Sequence, residues 1–150
     1  MKVCIVGAGA IGGWIGAPLA AAGVEVSAMA RGETLAALNT HGWRLQTADG
    51  LVQGPVAGAS ALASDLGVQD LVIIAVKGQA LASVAQGLAP LLGPQTLVLP
   101  AMNGVPWWFC KGLPELEQPL DSVDPGGLIE RLIPFEKVLG CVVHATATVA

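Results

Sequence analysis

KVCIVGAGAIGGWIG, residues 2–16, decides how the rest of the chain is read. Lys2 to Val6 is a short apolar run of the kind that makes a buried strand. Ala10 to Ala22 reads as a helix, with Gly23 placed to cap its C-terminus. Between them Gly7-Ala8-Gly9-Ala10-Ile11-Gly12 is GxGxxG, a weak signal alone and a specific one between a strand and a helix. Gly7 permits the tight turn, Gly9 leaves bare backbone that a pyrophosphate can approach, and Gly12 lets the helix pack close to the strand. The unpaired N–H groups at the helix start then face the anion. A dinucleotide site at Gly7, Ala8, Gly9, Ala10, Ile11 and Gly12 is therefore expected.

The same stretch has a competing reading. No charged residue occurs from Val3 to Val24, which resembles a signal peptide or membrane span. However, Gly7, Gly9, Gly12, Gly13, Gly16, Gly23 and Pro18 lie in it, and an uninterrupted apolar helix is not built that way. Pro18 is a fault in the helix pattern and is expected to bend it.

Working outward, Val24 to Ala30 is a second strand and Glu33 to His41 a helix closed by Gly42. Trp43–Thr47 and Leu51–Val56 flank Ala48-Asp49-Gly50, a hairpin turn. Ala59 to Leu66 reads as a short helix or turn. Asp70 to Val76 is the clearest strand, continuously apolar as a strand covered on both faces must be. Gln79 to Leu92 reads as a helix ended by Gly93-Pro94, and Gln95 to Leu99 as another strand. Residues 100–134 are loop-rich with six prolines, and Val138 to His144 is a last strand. Alternating strands and helices imply an α/β fold, a Rossmann-type doubly wound, mostly parallel sheet, with residues 1–150 as one domain.

Composition narrows the function classes. The 150 residues are 53% apolar and only 12% charged, with net charge −4. No basic run exists to contact nucleic acid. Cys4, Cys110 and Cys141 form neither a disulfide framework nor a metal-ligand pattern, so no metal is expected and a reducing cytoplasm fits. They read as small apolar residues.

Ligands of open α/β sheets gather at the carboxyl ends of the strands, and the polar residues of this chain collect there. The second strand ends in Ala30-Arg31, without the carboxylate that would hold the ribose hydroxyls of NAD. The guanidinium fork suits a 2′-phosphate instead, so NADP(H) is the expected cofactor. Lys77, the only charged residue between Asp70 and Lys111, follows the strand Asp70–Val76 and should reach cofactor ribose or nicotinamide. Asn103-Gly104 follows the strand Gln95–Leu99; an asparagine amide both donates and accepts and can bridge a carboxamide and a substrate. His144 is read as structural. Trp107-Trp108-Phe109 is expected to pack on the core or on a second domain.

Together GAGAIGGWIG at 7–16, Ala30-Arg31-Gly32, Val76-Lys77-Gly78-Gln79 and Asn103-Gly104-Val105 resemble the ketopantoate reductase (ApbA/PanE) family, over essentially the whole chain. The resemblance implies NADPH-dependent reduction of 2-dehydropantoate to pantoate, for pantothenate and coenzyme A synthesis. It implies pyrophosphate at the glycine loop, 2′-phosphate at Arg31, cofactor contact at Lys77, and both cofactor and substrate at Asn103. Thr146 matches a small cofactor-contacting residue only approximately. The family's proton-donating lysine and most substrate contacts belong to a helical C-terminal domain, expected to be absent from this chain. Residues 1–150 alone are then expected to be inactive. The expected partners are a 2-keto acid, that helical domain and, left open, a second copy in a homodimer. A related NADP-dependent 2-keto acid or 3-hydroxyacid reductase, or a non-enzymatic NADP(H)-binding module, are the alternatives.

Overall fold

The structure is a computed structural model that describes residues 1–116 and 120–149. Five parallel strands make one sheet: β1 (Lys2–Val6), β2 (Glu25–Met29), β5 (Ala59–Ser60), β6 (Gln69–Ile74) and β7 (Leu92–Pro100). Their spatial order is β5-β2-β1-β6-β7. The chain leaves β1 toward β2 and β5, then returns to β6 and β7 on the other side, so the strand order reverses between β1 and β6. That reversal is the switch point where open α/β sheets leave a crevice. Helices α1 (Ala10–Ala21), α2 (Gly32–His41), α3 (Leu81–Ala85) and α4 (Leu128–Leu132) complete the layers.

The period-two alternation of strand side chains divides the core between the two faces. Val3, Ile5, Val26, Ala28 and Ile73 pack under α1, with Ala17, Ala20 and Trp43. Cys4, Val6, Val72, Ile74 and Val98 pack on the opposite face with Leu81, Leu88, Trp107, Ile129 and Ile133. Both faces are covered, as the unbroken apolar runs require. Burial pushes the Cys4 thiol up to about 12, against a smaller downward pull from the Met29 backbone. Cys4 is therefore inert packing, whereas Cys110 and Cys141 are only half-buried.

The antiparallel pair β3 (Trp43–Thr47) and β4 (Gly50–Gly54) is the expected hairpin, Trp43 opposite Gly54 and Thr47 opposite Gly50. It packs on α1. Trp43 is buried and donates its indole N–H to the Val26 carbonyl (3.1 Å). A Cβ on Gly16 would lie 2.6 Å from the Trp43 ring. α1 runs unbroken through Pro18, which lies on its exposed side.

Four expectations are corrected. Residues 59–66, expected as a short helix or turn, divide into the edge strand β5 and a 3-10 turn at Ala63–Asp65. Ser60 makes that turn, accepting from the Leu62 N–H and donating to Asp65. The expected helix Gln79–Leu92 is only α3, with 3-10 turns on either side. Gly87 and Pro90 are the reason: glycine weakens helix, and proline has no N–H to continue it. β7 consequently starts at Leu92 rather than Gln95. Val138–His144 is not a strand; a single bridge joins Val138 to Val98. The next residue of β7 that could pair is Pro100, which has no donor, so the ladder stops. The loop-rich stretch 100–134 is as expected except for the short α4, and its residues 117–119 lie outside the described residues.

Asp124 anchors that stretch. Its buried carboxylate accepts from the Ile129 N–H (2.7 Å) and the Glu130 N–H (3.0 Å), fixing the start of α4. Asp124→Ala strands both donors and is expected to cost about 1–2 kcal/mol. A urea titration checks this: the midpoint should fall at constant slope, and an unchanged midpoint would contradict the anchoring role.

Candidate functional site at the carboxyl edge of the sheet

The strand registers bring the candidate residues to one edge. Val6 pairs with Met29 and with Ile74, and Ile74 with Pro100. The backbone beyond stays in step: Gly7 N–H bonds the Met29 carbonyl (3.0 Å), Ala75 N–H the Val6 carbonyl (2.8 Å) and Ala101 N–H the Ile74 carbonyl (2.8 Å). Arg31, Gly7, Lys77 and Asn103 therefore leave four neighbouring strands in spatial order.

The three motif glycines differ in what surrounds them. Gly7 has φ +90°, and a Cβ there would lie 2.6 Å from Val76 Cγ1. A Cβ on Gly12 would lie 2.2 Å from the Gly7 carbonyl oxygen and 2.9 Å from Ile5 Cγ2. Gly12 is thus what lets α1 sit against the end of β1. At Gly9 a Cβ would meet nothing within 4 Å. Gly9 is bare toward open space, where a ligand could approach the backbone. It is also the N-cap of α1, which has no side-chain cap and no acidic residue in its first turn. The first N–H groups of an α-helix lack intrahelical partners, so this end presents donors and a positive dipole end. Ala8, Ala10 and Ile11 complete the turn and are all half-buried.

Arg31 is the N-cap residue of α2, in extended conformation, and is exposed. Lys77 is likewise exposed, at the start of a 3-10 turn. Neither side chain is in an ion pair; among the described residues the pair found is Lys111 with Glu130. The edge therefore holds two cations outside any ion pair and the N-termini of α1 and α2, an arrangement suited to a polyanion.

Asn103 is exposed, but its amide is engaged. Its Nδ2 donates to the Val143 carbonyl (2.9 Å), and its Oδ1 accepts from the Val143 N–H (2.8 Å). The side chain thus substitutes for the ladder that β7 cannot offer residues 139–149. One N–H and one lone pair remain for a ligand. Thr146 and His144 lie farther along this unpaired segment, both exposed. Trp107 packs into the core as expected, Trp108 leans against it, and Phe109 is exposed.

Beside Asn103 opens a cleft of about 730 Å³ whose lining includes Gln79, Trp107, Trp108, Ser122, Cys141 and Val142. Sequence reasoning named Gln79 only as the end of the Val76–Gln79 motif, without a role, and did not bring Ser122 or residues 140–142 here. They come from separate loops, and no spacing rule links them. Among the described residues no helix is long and apolar enough to cross a membrane, and no cluster of three metal-ligand side chains forms.

Comparison with known proteins bears on this edge. The family pattern described as ketopantoate reductase PanE/ApbA matches residues 3–148. The chain is 43% identical to the 2-dehydropantoate 2-reductase of Mesorhizobium japonicum, over 99% of this chain and 46% of that protein. A crystal structure from Ralstonia solanacearum, described as a candidate ketopantoate reductase, is 55% identical with TM-score 0.91, covering 99% of this chain and 46% of that one. A PanE/ApbA family ketopantoate reductase from Ralstonia eutropha is 31% identical with TM-score 0.69, over 95% and 40%. The chain thus spans a little under half the length of these relatives.

The glycine geometry separates ligand contact from packing. Gly9→Ala should fold and lose dinucleotide affinity, its stability falling by no more than about 0.5–1 kcal/mol for a poorer N-cap, because its Cβ enters only open space. Gly12→Ala should be destabilised by about 1–3 kcal/mol, since its Cβ overlaps backbone. Thermal melts with and without dinucleotide check the pair; equal destabilisation of both variants would contradict the distinction.

Proposed function

The chain belongs to the ketopantoate reductase PanE/ApbA family, and from that membership we propose that it forms the NADP(H)-binding part of an NADPH-dependent 2-keto acid reductase. The preferred substrate is 2-dehydropantoate, reduced to pantoate. The observation that carries the reading is the bare backbone at Gly9, on an uncapped helix N-terminus one strand away from an unpaired arginine.

In this reading residues 7–12 hold the pyrophosphate against backbone N–H groups, where helix dipole and donors act together. Arg31 holds the 2′-phosphate by charge-assisted bonds in fork geometry. The same phosphate relieves the unfavourable placement of a cation at the start of α2. When bound, NADPH supplies the hydride. Lys77 lies one strand beyond the glycine loop and reaches toward the ribose and nicotinamide side. Asn103 offers its remaining N–H and lone pair to the nicotinamide carboxamide and to a substrate oxygen, and its clasp on Val143 fixes which way the amide points. Thr146 adds a lesser cofactor contact.

The proton for the new hydroxyl comes from a lysine outside these 150 residues, in the helical part that the resemblance implies. Residues 1–150 by themselves are therefore inactive. The intact protein is cytoplasmic and takes a small-molecule 2-keto acid. The related-reductase alternative shares these cofactor roles and differs in substrate.

Arg31→Ala in the intact protein should weaken NADPH binding by about 10- to 100-fold, the loss of a charge-assisted phosphate pair of about 1.5–3 kcal/mol. NADH binding should change by less than about twofold, since NADH lacks the 2′-phosphate. Fluorescence titration with each reduced cofactor measures both; equal losses would contradict the assignment.

A further inference from the structure

The cleft beside Asn103 has a chemistry that the cofactor reading leaves unused. It opens beyond the carboxyl ends of β6 and β7, next to Lys77 and Asn103. Its volume, about 730 Å³, lies in the range of small-molecule sites. Leu81 and Trp107 form part of it and belong to the buried core, so that side is rigid. Trp107 and Trp108 meet edge to face, centroids 4.4 Å apart at 89°, and make a fixed aromatic corner. Residues 140–142 form another side, and the Asn103 clasp on Val143 holds that segment in place.

Among the described residues no charged side chain lines this cleft; its polar side chains are neutral, Gln79, Asn103, Ser122 and the indole N–H groups of Trp107 and Trp108, with Trp107 Nε1 buried and without a partner. A carboxylate placed inside would lose its hydration and meet only neutral donors, with no cation to offset its charge. A 2-keto acid meeting Asn103 therefore enters more favourably with its uncharged end first. Its carboxylate stays at the mouth, on the side of Lys77, and its other end faces the apolar corner.

We propose that this cleft is the specificity pocket for the uncharged carbon substituent of the 2-keto acid, selecting branched or aromatic groups over small ones, with Trp108 as a selecting residue. The assignment rests on the 2-keto acid reading above and extends it to substrate choice. Trp108 is half-buried and packs against the core cluster, so its truncation removes a ring surface and opens the corner. Ser122 is exposed and, among the described residues, makes no side-chain hydrogen bond, so a carboxylate there places charge at the pocket without disturbing packing.

The test uses the intact protein with NADPH and three acids that share one CO–COO⁻ head: pyruvate, 3-methyl-2-oxobutanoate and phenylglyoxylate. The readout is kcat/KM for each larger acid divided by that for pyruvate, a ratio that cancels effects on the shared carboxylate. Wild type should give ratios well above one. Trp108→Ala and, independently, Ser122→Asp should lower them by about tenfold or more, with NADPH affinity within about twofold of wild type. Unchanged ratios in Ser122→Asp, or NADPH affinity falling in step with them, would overturn the proposal and leave the reductase reading standing. If no 2-keto acid is reduced, the reductase reading fails and the pocket is judged by binding. Ligand-observed NMR on the NADP⁺-loaded protein should then show saturation of the phenylglyoxylate ring that Ser122→Asp abolishes; no such signal in wild type would overturn the pocket as well.

Discussion

The structure depends on how closely one helix can approach the end of one strand. Only three residues separate β1 from α1, and at Gly12 the space for a side chain is already taken by the Gly7 carbonyl and Ile5. That contact places the helix N-terminus at the strand-order reversal, where the sheet leaves a crevice. The hairpin repeats the device lower on the same helix, with Trp43 against Gly16 and Gly54 against Ala20. Small residues on α1 thus serve two approaches, one that makes the site and one that covers the sheet. At the head of the same helix, Gly9 keeps bare backbone facing open space.

Much of this was legible in the sequence, for a physical reason. GxGxxG constrains backbone within a dozen residues, and buried parallel strands need continuous apolar runs, so β1, β2, β6 and the caps at Gly23 and Gly42 follow from local rules. The arrival of Arg31, Lys77 and Asn103 at one edge follows once the strands are known to be parallel. What failed was decided elsewhere. Periodicity extended α3 through Gly87 and Pro90, where the backbone cannot continue it. The apolar run 138–144 reads as a strand, yet its neighbour β7 ends its usable ladder at Pro100. The cleft was invisible because loops distant in sequence build it.

Asn103 connects these levels. The missing ladder at Pro100 leaves residues 139–149 without a strand partner, and the Asn103 amide takes over at Val143. One side chain therefore positions a wall of the cleft and keeps half of its hydrogen-bonding capacity for a ligand at the mouth. The cap at Asp124 acts in parallel, holding α4 so that Ile129 and Ile133 back the core around Trp107.

The central claim is that a dinucleotide diphosphate lies on the Gly9 backbone with its 2′-phosphate on Arg31. A crystal structure of the intact protein grown with NADPH tests it most directly. The account predicts diphosphate density within hydrogen-bonding distance of the N–H groups that open α1, and the 2′-phosphate against the Arg31 guanidinium. A nucleotide bound away from this junction, or Arg31 turned to solvent beside an ordered 2′-phosphate, would contradict it.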